Sequence, residues 1–155
     1  MRIVRTFECT PKEFFEAAAD RFKRECVTHG SVDINGLDVG MGYEDAGSTT
    51  WLDVFEPTKR FGWSASSTGG RVVSLMNIST DEGGCRVEFD QEYLDQPAVA
   101  GKLGQALIFG QMSNMLIGIF EEVEHRREGV VEKPASASGS QQSLSLKLFK
   151  RIIGS

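Results

Sequence analysis

Hydrophobic and polar residues alternate from Met1 to Phe7, placing Ile3, Arg5 and Phe7 on one side, and this predicts a first β-strand. Thr10-Pro11-Lys12-Glu13 follows. It offers an N-cap hydroxyl, a proline at the first helical position and a glutamate three residues past the cap, which together make a capping box. The helix predicted from there, over about residues 11–28, repeats Phe15, Ala18, Ala19, Phe22 and Cys26 at helical spacing for burial. It turns Lys12, Glu16, Asp20 and Arg24 to water and stops near Gly30.

From Gly36 to Tyr93 the period changes to two, with turn residues at intervals of about ten, which predicts an antiparallel meander. The expected strands are 38–45, 49–56, 60–66, 71–79 and 85–93. Val39, Met41 and Tyr43 share a face, as do Phe61, Trp63 and Ala65, while Cys85, Val87 and Phe89 oppose Arg86, Glu88 and Asp90. Asp45-Ala46-Gly47, Pro57-Thr58-Lys59, Thr68-Gly69-Gly70 and Asp81-Glu82-Gly83-Gly84 supply the turns.

After Pro97 a helical pattern runs over about residues 98–127. Ile108, Met112, Met115, Ile119 and Val123 form an apolar stripe, broadened by Phe109, Leu116 and Phe120, which is expected to lie against the sheet. The opposite face holds Leu103, Leu107, Gly110, Gln111, Asn114, Gly118 and Glu121. A solvent face ordinarily carries lysines and glutamates, so the absence of charge before Glu121 predicts that something covers it. Eighteen residues between Lys102 and Glu121 carry no charge, the lower limit for a spanning helix. Gln105, Gln111, Ser113 and Asn114, with three glycines, favour a helix of a soluble protein instead.

The pattern ends in two further pieces. Residues 128–143 read as a flexible linker rich in Ser, Ala and Gly, and 144–155 as a basic amphipathic segment. On a helical wheel Leu144, Leu146, Leu148, Phe149, Ile152 and Ile153 oppose Lys147, Lys150 and Arg151. Ten residues do not hold a helix alone in water, so the segment must dock or stay disordered. An anionic membrane, a separate partner, and the uncharged face of the long helix in the same or a neighbouring copy are its possible sites, with protein ahead of membrane.

Composition narrows the function. The chain has 155 residues, 40% hydrophobic and 25% charged, enough for a core without disulfides or metal. Its net charge is −5, and with the three basic residues of 140–155 set aside the remainder carries 14 basic against 22 acidic residues, a net −8. Nucleic acid is therefore not expected as a partner. Cys9, Cys26 and Cys85 lie far apart in sequence without a Cys-x-x-Cys pair and read as buried thiols in a reducing compartment; with no signal-peptide pattern at the start, a cytoplasmic location is expected.

Neither His29 nor His125 stands at metal-ligand spacing, and both read as solvated surface residues; no metal and no cofactor is expected. There is no nucleophile elbow, phosphate loop or dinucleotide fingerprint. Asp53 and Asn77 read as outward-facing strand residues, with an inward general base as the alternative. Met41, Tyr43, Phe61, Trp63, Phe89, Met112, Met115 and Ile119 are the candidate ligand-lining set, and a plain packed core would use the same residues.

Strand, helix, five-stranded meander and long C-terminal helix, over about residues 1–127, resemble the START-like (SRPBCC, helix-grip) superfamily, which includes polyketide cyclases and lipid-transfer domains. The opening Ile3-Val4-Arg5-Thr6-Phe7 through Thr10-Pro11-Lys12-Glu13-Phe14-Phe15 is similar to the start of a bacterial branch of that group whose function is unknown. The resemblance implies an α+β helix-grip fold, a long helix packed across the sheet, a second short helix at Ser31 to Leu37, and an apolar ligand cavity.

Three functions follow as expectations. The first is binding of a small apolar or lipid-like molecule between sheet and C-terminal helix. The second is a cyclase- or dehydratase-type enzyme using Asp53 or Tyr43. The third is a protein–protein interaction module using the uncharged outer face of the long helix, and a homodimer through the long helix or the C-terminal segment is one form it could take. An inward ionisable group distinguishes the second from the first.

Overall fold

The computed structural model describes residues 1–30, 36–94 and 101–129. The elements run β1 (Arg2–Phe7), α1 (Pro11–Thr28), β2 (Gly42–Asp45), β3 (Ser48–Glu56), β4 (Arg60–Ser67), β5 (Gly70–Asp81), β6 (Gly84–Leu94) and α2 (Gly101–Arg127). This is the expected α+β element order of the helix-grip class. The chain divides into two compact units, Met1–Val99 and Ala100–Ser155. The expected short helix falls mostly on residues 31–35, and the linker and basic segment on 130–155; these lie outside the described residues.

The first unit is a six-stranded antiparallel sheet in the order β1-β6-β5-β4-β3-β2. Every neighbour except β1 on β6 is a sequential hairpin partner, as short turns dictate. β1 closes the edge beside β6, with Ile3 opposite Phe89 and Phe7 opposite Cys85. Alternation along this register assigns two faces. The inner one collects Ile3, Leu52, Phe61, Met76, Val87 and Phe89, all buried. α1 packs on that face through Phe14, Phe15, Ala18 and Phe22.

α1 begins as the capping box predicts. Glu13 N donates to Thr10 Oγ1 at 3.1 Å, and Thr10 N donates to Glu13 Oε1 at 3.0 Å. Two otherwise unpaired amides are satisfied at once, and Pro11 at the start needs no partner.

Two expectations need correction. β2 begins at Gly42 rather than near 38, because Gly40 takes a φ of +97° within a turn closed by Met41 N donating to Asp38 O at 3.1 Å. The positive φ breaks strand alternation, so Val39 points outward at 62% exposure instead of sharing a face with Met41 and Tyr43. The β2–β3 hairpin also turns through Ala46 and Gly47 at φ +49° and +82°, the both-positive pattern of a two-residue primed turn, with Ala46 where Asn or Gly is usual.

The second unit is described through α2. Ile108, Met112, Leu116, Ile119 and Val123 are buried, which reproduces the apolar stripe read from the sequence, and Met115 is half-buried at its margin. Among the described residues α2 is the one helix long and apolar enough to cross a membrane by length and composition, a test that core helices of soluble proteins also pass.

Candidate functional site

The ladder sets inner-face residues side by side in rows. One row runs Leu52, Trp63, Ser74, Gln91 across β3 to β6; the next runs Tyr43, Thr50, Ala65, Val72, Tyr93 across β2 to β6. The row on the other side of Trp63 holds Phe55, Phe61, Met76 and Phe89. The inner face thus changes along its strands from wholly apolar to apolar with hydroxyl and amide groups. No charged side chain falls on it within β3 to β6, because each of their carboxylates and guanidinium groups occupies the opposite parity or the Asp53 bulge.

The apolar end is filled by α1. Phe61 meets Phe15 edge-on at 5.8 Å and Phe22 at 5.9 Å between ring centroids, and it also touches Phe55 at 6.2 Å. Phe22 reaches Tyr43 at 5.8 Å, and the His29 ring stacks on Tyr43 at 5.4 Å. Phe61 and Tyr43 are therefore held by α1, and His29 is not the solvated surface residue expected. Beyond them Phe61 touches Trp63 at 5.8 Å, and Trp63 touches Phe89 at 5.7 Å.

The polar end is an ordered chain. Tyr93 OH donates to Gln91 Oε1 at 2.8 Å, and Gln91 Nε2 donates to Ser74 Oγ at 3.1 Å. Ser74 is buried, while Gln91 and Tyr93 are half-buried. With its acceptor role used by Gln91, the Ser74 hydroxyl keeps a proton to donate. Burial pushes the Tyr43 and Tyr93 phenols above their ordinary range; for Tyr43 a hydrogen bond with Thr50 opposes this in part. Both phenols are protonated at neutral pH and serve as donors, not bases.

Asp53, one of the two acid–base candidates, stands on the other face. A bulge between Leu52 and Val54 inserts it as an extra residue, and it accepts a hydrogen bond from the buried Ser64 hydroxyl. Ser64 alternates with Trp63, so this carboxylate is turned away from the inner face, in line with the outward reading. Asn77 has the same outward parity.

Of the eight sequence candidates, the sheet brings Tyr43, Phe61, Trp63 and Phe89 to one face; Met41 precedes β2 and its sulfur accepts from Asp38 N at 3.0 Å, and Met112, Met115 and Ile119 lie on α2, the first and last buried. Ser74, Gln91, Tyr93 and Thr50 escaped the sequence reading. Their strand parity with Val72, Met76, Val87 and Phe89 was the available signal, since a polar residue on an apolar parity must find a partner.

Two further features were not foreseen. Cys9 and Cys85, distant in sequence, meet where β1 ends: Cys9 N donates to Phe7 O at 2.9 Å, and Phe7 is the ladder partner of Cys85. A hydrogen bond with Cys9, reinforced by burial, pushes the Cys85 thiol far up, so it is no nucleophile at neutral pH. A surface groove of about 400 Å³ lies between α1 and the β3–β4 turn, lined by Lys12, Phe15, Glu16, Asp20, Phe55 and Pro57 among others; it shares no residue with the candidate set. Among the described residues no group of three or more His, Cys, Asp or Glu side chains converges on one point.

No protein-family model matches the chain, and no curated protein matches it in sequence. Solved structures do match it. Ara h 8.0201 superposes with a TM-score of 0.61 at 13% identity, covering 79% of this chain and 95% of its own. CV1439 from Chromobacterium violaceum gives 0.55 at 15% identity, covering 78% of this chain and 96% of its own. DynU16, a protein of the dynemicin biosynthetic locus, gives 0.57 at 16% identity over 83% of this chain, which spans 47% of DynU16. At such identities the likeness shows a shared fold and nothing finer.

Proposed function

We propose that the chain binds a small, neutral, largely apolar molecule against the inner face of its sheet. The observation that carries this reading is the placement of the Tyr93–Gln91–Ser74 hydrogen-bond chain beside Trp63 and Phe89. An aromatic wall ending in an oriented donor fits a molecule with an apolar body and one hydroxyl or carbonyl oxygen. Met112, Met115 and Ile119 stay proposed as further lining residues, and the protein is proposed to act in the cytoplasm.

The enzyme reading fares less well. It needs an inward base, and among the described residues of the strands the buried or half-buried ionisable groups on the inner face are two phenols and the Cys85 thiol, all held in the protonated form. Asp53 faces the other way.

Thermal unfolding in the presence of neutral aromatic alcohols, matched carboxylates and matched ammonium compounds tests the proposal. A midpoint that rises with 1-naphthol but not with 1-naphthoate or 1-naphthylmethylammonium supports it. Met115→Trp tests the α2 residues separately and should abolish the rise by filling space. If none of the three probes moves the midpoint, the binding reading is abandoned.

A further inference from the structure

The fold brings two of the three thiols together. Phe7, the last residue of β1, faces Cys85 in the ladder, and two residues later Cys9 N donates to Phe7 O at 2.9 Å, which turns the chain back towards β6. Gly84, at φ +138°, permits this approach: a Cβ there would strike Phe7 O and stand 3.0 Å and 3.1 Å from Cys9 O and N. Both thiols are buried, Cys9 at 4% exposure and Cys85 at 0%. A hydrogen bond joins them, and since such a bond raises a thiol's pKa when that thiol is the donor, Cys85 directs its proton at the Cys9 sulfur. Cys26 stands apart. It lies on α1 beside Tyr43, whose strand β2 forms the edge of the sheet opposite β1.

We propose that Cys9 and Cys85 are a peroxide-sensitive latch, closing a reversible disulfide that ties the β1–α1 corner to the start of β6. The bond encloses α1 and β2 to β5 in one covalent loop and fixes the residue just before the Thr10 cap of α1. Every residue involved belongs to the first unit, and none is a proposed ligand contact.

With hydrogen peroxide as the oxidant the step balances. Cys9 is the acceptor of the pair and the slightly more exposed thiol, so its sulfur attacks first: an S–O bond forms, the O–O bond breaks, and the thiol proton leaves in a water molecule. Cys85 Sγ then attacks the sulfenic sulfur. The S–S bond forms as the S–O bond breaks, and the proton that Cys85 already directs there departs with the hydroxyl as a second water. Two thiols give up two electrons and one peroxide becomes two waters. A thiol that does not ionise by itself can thus resolve the sulfenic acid, and dithiothreitol reverses the bond by exchange.

Peptide mapping without reduction, on the native full chain treated with hydrogen peroxide well below its unfolding midpoint, reads the pairing. Oxidation through global unfolding would scatter bonds among Cys9–Cys85, Cys9–Cys26 and Cys26–Cys85. The latch predicts Cys9–Cys85 alone, a mass loss of about 2 Da, and Cys26 still open to alkylation after denaturation. The unfolding midpoint should rise by roughly 5–15 °C, because the closed loop is long, and should return with dithiothreitol. Cys26→Ala should keep both responses and Cys9→Ala should lose both; if Cys9→Ala folds poorly, the map of the native chain still decides. Bonds that include Cys26, a disulfide-linked dimer, or sulfinic acid in place of the bond overturn the proposal. So do three alkylatable thiols at a peroxide concentration that oxidises free cysteine in the same solution, or a Cys9–Cys85 bond that leaves the midpoint unchanged or lowers it.

Discussion

Trp63 and Ser74 stand directly opposite each other in the β4–β5 ladder, so an indole and a hydroxyl occupy neighbouring positions on the sheet's inner face. Neither residue alone points to a function. Together with Gln91, which continues the row on β6 and donates to Ser74, they make an apolar wall with a polar end.

If that end anchors a ligand oxygen, Gln91→Leu should weaken binding of a neutral aromatic alcohol by about tenfold, the equivalent of one hydrogen bond of about 1.4 kcal/mol. Asp53→Asn, on the opposite face, should leave the affinity unchanged. Titration calorimetry on the two variants checks both. Equal losses would mean that the inner-face row is not the anchor.

Thr10→Ala should destabilise the protein by about 1 kcal/mol, since it deletes the hydroxyl that accepts from Glu13 N. The shift in the urea midpoint, at constant slope, measures it.

Ala46 at φ +49° is an L-residue in a left-handed conformation that the two-residue hairpin requires. Replacing it by Asn, which tolerates that region, should stabilise the protein by about 0.5–1 kcal/mol. A lowered melting midpoint for Ala46→Asn would contradict the turn geometry described.

Alkaline pH should destabilise the fold, and the sign follows from the buried phenols and thiols. Tyr43, Tyr93, Cys26 and Cys85 all lose their protons less readily when folded, so each contributes stability that is complete below its unfolded value and lost as pH rises towards the folded one. The decline should start near about pH 8.5 with the thiols and steepen above about pH 10 with the phenols. Denaturation midpoints between about pH 7 and 11 measure it, and Tyr43→Phe should flatten the upper part.

The sequence made much of this fold legible, for identifiable reasons. Thr10-Pro11-Lys12-Glu13 announces a helix start through local hydrogen bonding alone, and α1 spans the expected residues. Residues 85–93 alternate strictly because one face is buried, and β6 follows them. What stayed hidden depends on contacts between strands. Gly40 delays the start of β2 through a positive φ that composition does not reveal, and Cys9 meets Cys85 only because β1 pairs with β6. The Ser74–Gln91–Tyr93 chain was hidden for the same reason: each residue looks like an ordinary polar strand position until the register places them on one face.

The two tryptophans test the central proposal most directly, because the sheet puts them on opposite faces: Trp63 inward beside Phe89, and Trp51 outward under the Arg71 guanidinium at 5.1 Å. Trp51→Phe leaves Trp63 as the only indole, and Trp63→Phe leaves Trp51. Fluorescence titration of each variant with 1-naphthol should give a saturable change for the protein that keeps Trp63 and none for the protein that keeps Trp51. A response from Trp51 alone, or from neither, would contradict binding on the inner face.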